Sequence, residues 1–249
     1  GLLLAPAALR RRRAAARRAD RGLLHALARQ RRLGAAVQDD LRLNLELARQ
    51  RRLGAAVQAD LGLLHALAHI ELNAIDLAFD LLGRFKNTPM PEEFYTDWLR
   101  VGAEEAKHFM LLQGRLKSLG SYYGALPAHD GLWEAAQNTA HNLAARLAIV
   151  PMVLEARGLD VTPQMIEKLT KNGDDESAKI LGIIYEDEKT HVAIGSKWFS
   201  YLCEKQNKDS QIQYQKFVQT YFKGDIKPPF NKSARDEAGL PETFYIFDR

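Results

Sequence analysis

Six side chains recur in the order Glu, Glu-x-x-His, Glu, Glu-x-x-His: Glu71, Glu105 with His108, Glu155, and Glu188 with His191. A glutamate and a histidine three residues apart on a helix share one face, about one turn apart. Two such pairs, with one glutamate from each of two further helices, can bring four carboxylates and two imidazoles to one point. That is the ligand set of a dinuclear iron or manganese carboxylate centre held between four helices. The donor types suit the chemistry, because these metals favour oxygen ligands with some imidazole. Four carboxylates neutralise two divalent ions, and one histidine per metal leaves positions open for dioxygen or substrate. A single Glu-x-x-His is weak evidence, since the pair arises easily on a solvated helix face. Two of them, interleaved with Glu71 and Glu155 on apolar helices, are not easily explained that way. Unpaired carboxylates in such surroundings are expensive.

The neighbours of these residues suggest supporting roles. Glu104 precedes Glu105 and Asp187 precedes Glu188. A carboxylate beside a ligand histidine can accept its distal N–H and fix its tautomer. His65 and His69 lie off the face of Glu71, and neither is expected to reach the metals. Tyr122, Tyr123 and His129, in the loop before the third helix, are candidates to border a pocket. His141, about 21 Å before Glu155 at the usual helical rise, is a candidate to line an access route. Pro151, four residues before Glu155, is expected to kink the third helix.

The elements that must position these groups read as helices throughout. Residues 62–85 keep apolar positions at helical spacing, and Pro89 and Pro91 punctuate the connection to a second helix over 91–119. Glu92 and Glu93 suit its first turn and Gly120 its end. A third helix is predicted over 131–157, ending at Gly158, with a short one from Thr162-Pro163 to about 171. A fourth covers 174–205 and a fifth about 208–223, and the proline- and aromatic-rich tail reads as an extended strap. The class is all-α: a four-helix bundle with an additional C-terminal helix and an extended tail. The domain reading is an arm over 1–61, a helical bundle over 62–223 and a tail over 224–249 packing on the bundle.

The arm stands apart in composition. It holds 14 Arg and 5 acids, a net of +9, whereas residues 62–249 carry a net of −5. LARQRRLGAAVQ occurs at 27–38 and again at 47–58, and ADRGLLHALA at 19–28 returns as ADLGLLHALA at 59–68. Three readings stay open: a basic helical hairpin packing on the domain, a disordered or targeting-like leader that is Arg-rich but lacks the serines of a transit peptide, or a repetition that is not native. The mildly acidic remainder gives no general argument for a nucleic-acid partner. One cysteine, Cys203, excludes an internal disulfide and any multi-cysteine metal site. Leu147–Leu154 is the longest apolar run noted, far short of the roughly 20 residues of a membrane span. A cytoplasmic protein without a membrane partner is the expectation, and a homodimer is left open.

At the stretches LLHALAHIELNAIDLAFD, FYTDWLRVGAEEAKHF, YYGALPAHDGLWEAA, ARLAIVPMVLEARGLDVTP and DEKTHVAIGSKWF, the chain resembles the ferritin-like superfamily. More narrowly, 62–203 is similar to a bacterial ferritin-like family first filed as a domain of unknown function. More distant likenesses are to the small di-iron oxygenases and a tRNA hydroxylase. The resemblance implies a ferritin-like bundle with two iron ions, manganese being the alternative, at Glu71, Glu105, His108, Glu155, Glu188 and His191. The implied activity is that of an oxidoreductase activating dioxygen to hydroxylate or oxidise a small organic substrate, with an unidentified electron donor. Three alternatives accompany it: ferroxidase or iron handling, an RNA-modifying hydroxylase, and a non-catalytic helical interaction protein. Fold likeness cannot choose among them.

Overall fold

Residues 60–128 and 131–247 are described by the structure, a computed structural model. The arm lies outside the described residues except for its last two positions, and so does His129. Every regular element among the described residues is helical.

The first helix, α1 (Asp60–Arg84), buries Leu64, Ala68, Glu71, Ala74, Ala78 and Leu81, the three-and-four spacing of one inward face. By length and composition it is apolar enough to cross a membrane, with a mean hydropathy of 1.2. The sequence reading took Leu147–Leu154 as the longest apolar run instead; in α1 the structure turns the polar His65, Glu71 and Asn73 inward. Helix α2 (Glu92–Ser118) opens with Glu92 and Glu93 in its first turn and closes with Arg115 and Lys117 in its last, matching the helix dipole at both ends. Gly120, at φ 76°, lets the chain fold back so that Ser121 N–H reaches the Leu116 carbonyl at 2.9 Å.

The predicted third helix is broken in two. Helix α3 (Gly131–Asn138) stops, and Asn142 starts α4 (Leu143–Ile149) by accepting the Ala145 N–H at 3.1 Å. Buried Arg146 holds the break together. It donates to the Ala136 carbonyl at 2.6 Å, to Thr139 Oγ1 at 3.1 Å and to Asp80 Oδ2 on α1 at 2.8 Å. After α4 the chain does not end at Gly158. It passes through a π-helical segment (Val150–Glu155) into α5 (Ala156–Lys171). Pro163 sits inside α5 and cannot donate to the Leu159 carbonyl one turn back. Asn231, from the tail, donates to that carbonyl instead at 3.1 Å.

Helix α6 (Asp175–Lys205) is capped by Asp174, which accepts the Ser177 N–H at 2.9 Å. It packs against α2, α4, the π segment and α5. Helix α7 (Ser210–Tyr221) follows. The tail forms two short helices, α8 (Lys232–Glu237) and α9 (Glu242–Tyr245), where the sequence reading expects only an extended strap. Its anchor is Arg235, buried and forked onto Asp160 of α5 at 2.7 and 2.8 Å. The guanidinium also lies over the rings of Phe230 and Tyr245.

The interior has two main apolar clusters. One gathers Val101, Ala156, Val192 and Phe199 with α7 and the tail; the other gathers Leu64, Ala68, Leu112, Leu116 and Ile184. Along α1, α2 and α6 the chain passes from one cluster to the other at Glu71, Glu105 to His108, and Glu188.

The tail anchor is testable. Arg235→Met leaves the buried Asp160 carboxylate without its bidentate partner and is expected to cost about 3–5 kcal/mol. Urea unfolding measures this, and an unchanged midpoint would show that the tail contributes nothing through this pair.

Candidate metal centre

The carboxylates and imidazoles converge where the two apolar clusters meet. Glu71 reaches in from α1, Glu105 and His108 from α2, and Glu188 and His191 from α6. Glu155 stands at the end of the π segment. Ligand-capable atoms of Glu71, Glu105, His108 and Glu188 all lie within 4.8 Å of one another, so this group could hold a metal ion. The Glu105 carboxylate spans both rings, with Oε2 3.3 Å from His108 Nδ1 and Oε1 3.0 Å from His191 Nδ1. Glu71 Oε2 approaches His108 Nδ1 at 3.1 Å, and Glu188 Oε1 lies 3.6 Å from His191 Nδ1.

The distal nitrogens are held crosswise. His108 Nε2 donates to Asp187 on α6 at 2.9 Å, and His191 Nε2 donates to Glu104 on α2 at 2.9 Å. Each residue adjacent to a glutamate of the cluster therefore orients the histidine of the opposite helix, leaving both Nδ1 atoms aimed at the cluster. Two cations on the surface complete these chains: Lys107 pairs with Asp187, and Arg100 donates to Glu104 at 3.0 Å.

Two buried carboxylate oxygens here, Glu155 Oε2 and Glu188 Oε2, have no hydrogen-bond partner among the described residues, and Glu105 Oε1 and His191 Nδ1 have only each other, as an ion pair at 3.0 Å. Buried polar atoms are normally satisfied. Two unpartnered carboxylate oxygens beside a carboxylate–imidazole pair fit a cation as the missing partner.

The electrostatics agree. Burial pushes Glu71 well above the ordinary carboxylate range, and the charge of Glu105 adds to it. Glu155 is raised by burial and by the charges of Glu188 and Glu105, and Glu188 is raised for the same kind of reason. Burial opposes a charge on His108, but Glu105 and Glu71 outweigh it and lift the ring to about 10. His191 is likewise raised, burial being outweighed by Glu188 and Glu105. Burial opposes ionisation of Glu105 as well, yet hydrogen bonds from both rings keep its carboxyl well below the usual range. Without a metal, protons take the place of the cation.

Above the cluster an apolar cleft of about 200 Å3 opens, with Glu71, Glu105, Glu155 and Glu188 along its floor. Leu67, Ile70, Ala74, Val161, Met165 and Ile184 form much of its wall, and Arg157 and Thr162 supply its other polar groups.

None of the described aromatic or histidine residues expected at the pocket lines this cleft. Tyr122 is exposed. Tyr123 stacks on His65, and its hydroxyl lies 2.7 Å from His69 Nδ1. Asn73 Nδ2 lies 3.2 Å from His69 Nε2. His141 lies in the turn between α3 and α4, before the Asn142 cap, and bonds the Tyr221 hydroxyl at 3.0 Å. His65 is used by the loop: its Nε2 accepts from Gly124 and Leu126 N–H at 2.8 and 3.3 Å.

A residue that the sequence reading missed is Gly195. A Cβ there would stand 2.5 Å from Pro151 Cβ. Only glycine lets α6 approach the π segment that presents Glu155. The visible signal was the pairing of an in-helix proline with a glycine four residues after His191.

A family model described as protein of unknown function (DUF455) matches residues 7–246. The chain belongs to the DUF455 family. A protein of Haemophilus influenzae described as uncharacterized is 44% identical to this DUF455 chain over 184 residues, covering 72% of the chain. The DUF455 chain spans 64% of the length of that curated relative. No solved structure matches it.

Two predictions follow from this geometry for the DUF455 centre. An ion held by the Nδ1 atoms and the buried carboxylates must displace their protons. Titration with Mn2+ in weak buffer should therefore release protons, and affinity should rise with pH across the range below about 10, where His108 is protonated. Affinity independent of pH would refute the charge assignment. Gly195→Ala should cost about 1–3 kcal/mol through overpacking and lower metal occupancy by displacing Glu155. Urea unfolding and elemental analysis read these two effects separately.

Proposed function

We propose that this DUF455 chain is a ferritin-like di-iron carboxylate oxidoreductase. Its four-helix bundle would comprise α1, α2, the continuous α4–π–α5 helix and α6. Glu71, Glu105, His108, Glu155, Glu188 and His191 are the proposed ligands of two iron ions, with manganese as the alternative metal. The unpartnered buried oxygens of Glu155 and Glu188, beside the Glu105–His191 pair, support that set.

A ferrous pair held by these residues would supply the electrons with which dioxygen becomes the oxidant of an organic substrate. The chain's own groups do the remaining work. Glu104 and Asp187 hold the imidazoles with Nδ1 pointing inward. The apolar walls exclude water from the floor and seat the substrate over the glutamates.

The observation that carries the reading is the cleft, because it ends on the carboxylate cluster. It also favours an organic substrate over iron handling. A route for hydrated ferrous ions is expected to present oxygen ligands along its length, whereas this one presents aliphatic side chains down to the floor.

The test is anaerobic reconstitution with ferrous iron, followed by elemental analysis and oxygen uptake. About two irons per chain and oxygen consumption are expected. Glu105→Ala and His191→Ala should each lose most of the metal. His65→Ala should keep it, because that ring serves the loop at Gly124 and Leu126. Two metals retained by Glu105→Ala would sink the ligand assignment.

A further inference from the structure

The cleft has a polarity that its apolar walls do not reveal. Its floor carries four glutamates, whose charge the proposed metals offset, and its rim carries Arg157. Arg157 is held in place by the tail: Nη1 donates to the carbonyls of Lys227 and Pro229, both at 2.9 Å, while 38% of the side chain stays exposed. Its carboxylate neighbour is Asp160, 3.3 Å away. Asp160 is already committed, since Arg235 grips it with two shorter hydrogen bonds and Asn231 N–H donates to it at 3.0 Å. One buried carboxylate thus serves two guanidiniums. The tail also places Lys227 and Asp225, one charge of each sign, beside them. Between rim and floor the wall is aliphatic, from Ile70 and Leu67 to Met165 and Ile184.

We propose, building on the di-iron reading, that the cleft takes a small aliphatic carboxylic acid, its carboxylate at Arg157 and its hydrocarbon end over the glutamate cluster. The orientation follows from charge. At the floor the four glutamates already match the charge of two divalent ions and leave no excess for a further anion, whereas at the rim a carboxylate meets a fixed guanidinium suited to planar anions. Arg157 is in this account a specificity-determining residue. It selects the acid and sets which end of the chain reaches the reacting centre.

The test measures binding without turnover. Straight-chain alkanoates of increasing length, and the matching alkanols, are titrated into the full chain by calorimetry. Affinity for the acids should rise about fourfold per methylene until the cleft is full, and the alkanols should bind more weakly at every length. Arg157→Met keeps the stem and removes the charge, so it should weaken acid binding about tenfold and leave the alkanols unchanged. Arg157→Lys should restore part of the loss.

Gly158→Leu gives a second handle that leaves the tail contacts alone. A Cβ at Gly158 meets nothing within 4 Å and the residue lines the cleft, so the larger side chain enters open space. It should shorten the longest acid accepted. Equal affinity for acids and alkanols would overturn the proposal, as would wild-type acid binding by Arg157→Met or an alkyl phosphate binding tighter than the alkanoate. Metal content, measured on the same samples, separates the two readings. Selective acid binding by a chain that takes up no iron would retain the cleft assignment and refute the oxidoreductase. Two irons without acid binding would do the reverse.

Discussion

Everything in this molecule is arranged around buried negative charge. Carboxylates in an apolar interior must be neutralised or paired, because an isolated buried ion costs several kcal/mol even after relaxation. Glu105 resolves this by lying between two imidazoles, one from its own helix and one from α6. Those imidazoles hold a positive charge because the carboxylates of the cluster face them, while Asp187 and Glu104 accept their outer N–H groups and fix their orientation. The polar layer is therefore wired from Lys107 on one side to Arg100 on the other, and α2 and α6 are joined by exchange of ion pairs across the site. The apolar clusters at either end fix the helices, and the layer between them fixes their register.

The backbone irregularities have a common logic. Two prolines lie within the long path from α4 to α5, and each withdraws a donor from the helical ladder. At Pro151 the helix widens into a π segment, a feature often found at functional sites, and Gly195 makes room for it. At Pro163 the freed carbonyl is taken up by Asn231. The helix that would otherwise be the most regular wall of the site thus depends on groups about 40 and 70 residues away along the chain.

Much of the helical order was legible because its signals are local. Spacing alone placed Glu105 and His108, and Glu188 and His191, on single helix faces, and the structure brings those faces together. Gly120 and Gly173 ended helices as their positions suggested, both with positive φ. The break at Asn142 was hidden, since a buried arginine and a side-chain cap decide it and neither is visible in apolar periodicity. The continuity through Pro163 was hidden for the opposite reason: the residue that tolerates it comes from the tail. The cleft could not be read either. Its walls are ordinary aliphatic residues indistinguishable in sequence from core, whereas Tyr123 of the loop is spent on His65 and His69.

The link between Arg235 and Asp160 spans 75 positions, and the same tail holds Arg157 through the carbonyls of Lys227 and Pro229. As the chain leaves the ribosome, the six cluster residues have all been made before this clasp exists. The carboxylates thus precede the segment that steadies the rim of their cleft, and vectorial synthesis makes closure of the tail a late step in maturation. The order of translation thereby separates the making of the donor atoms from the completion of the entrance above them.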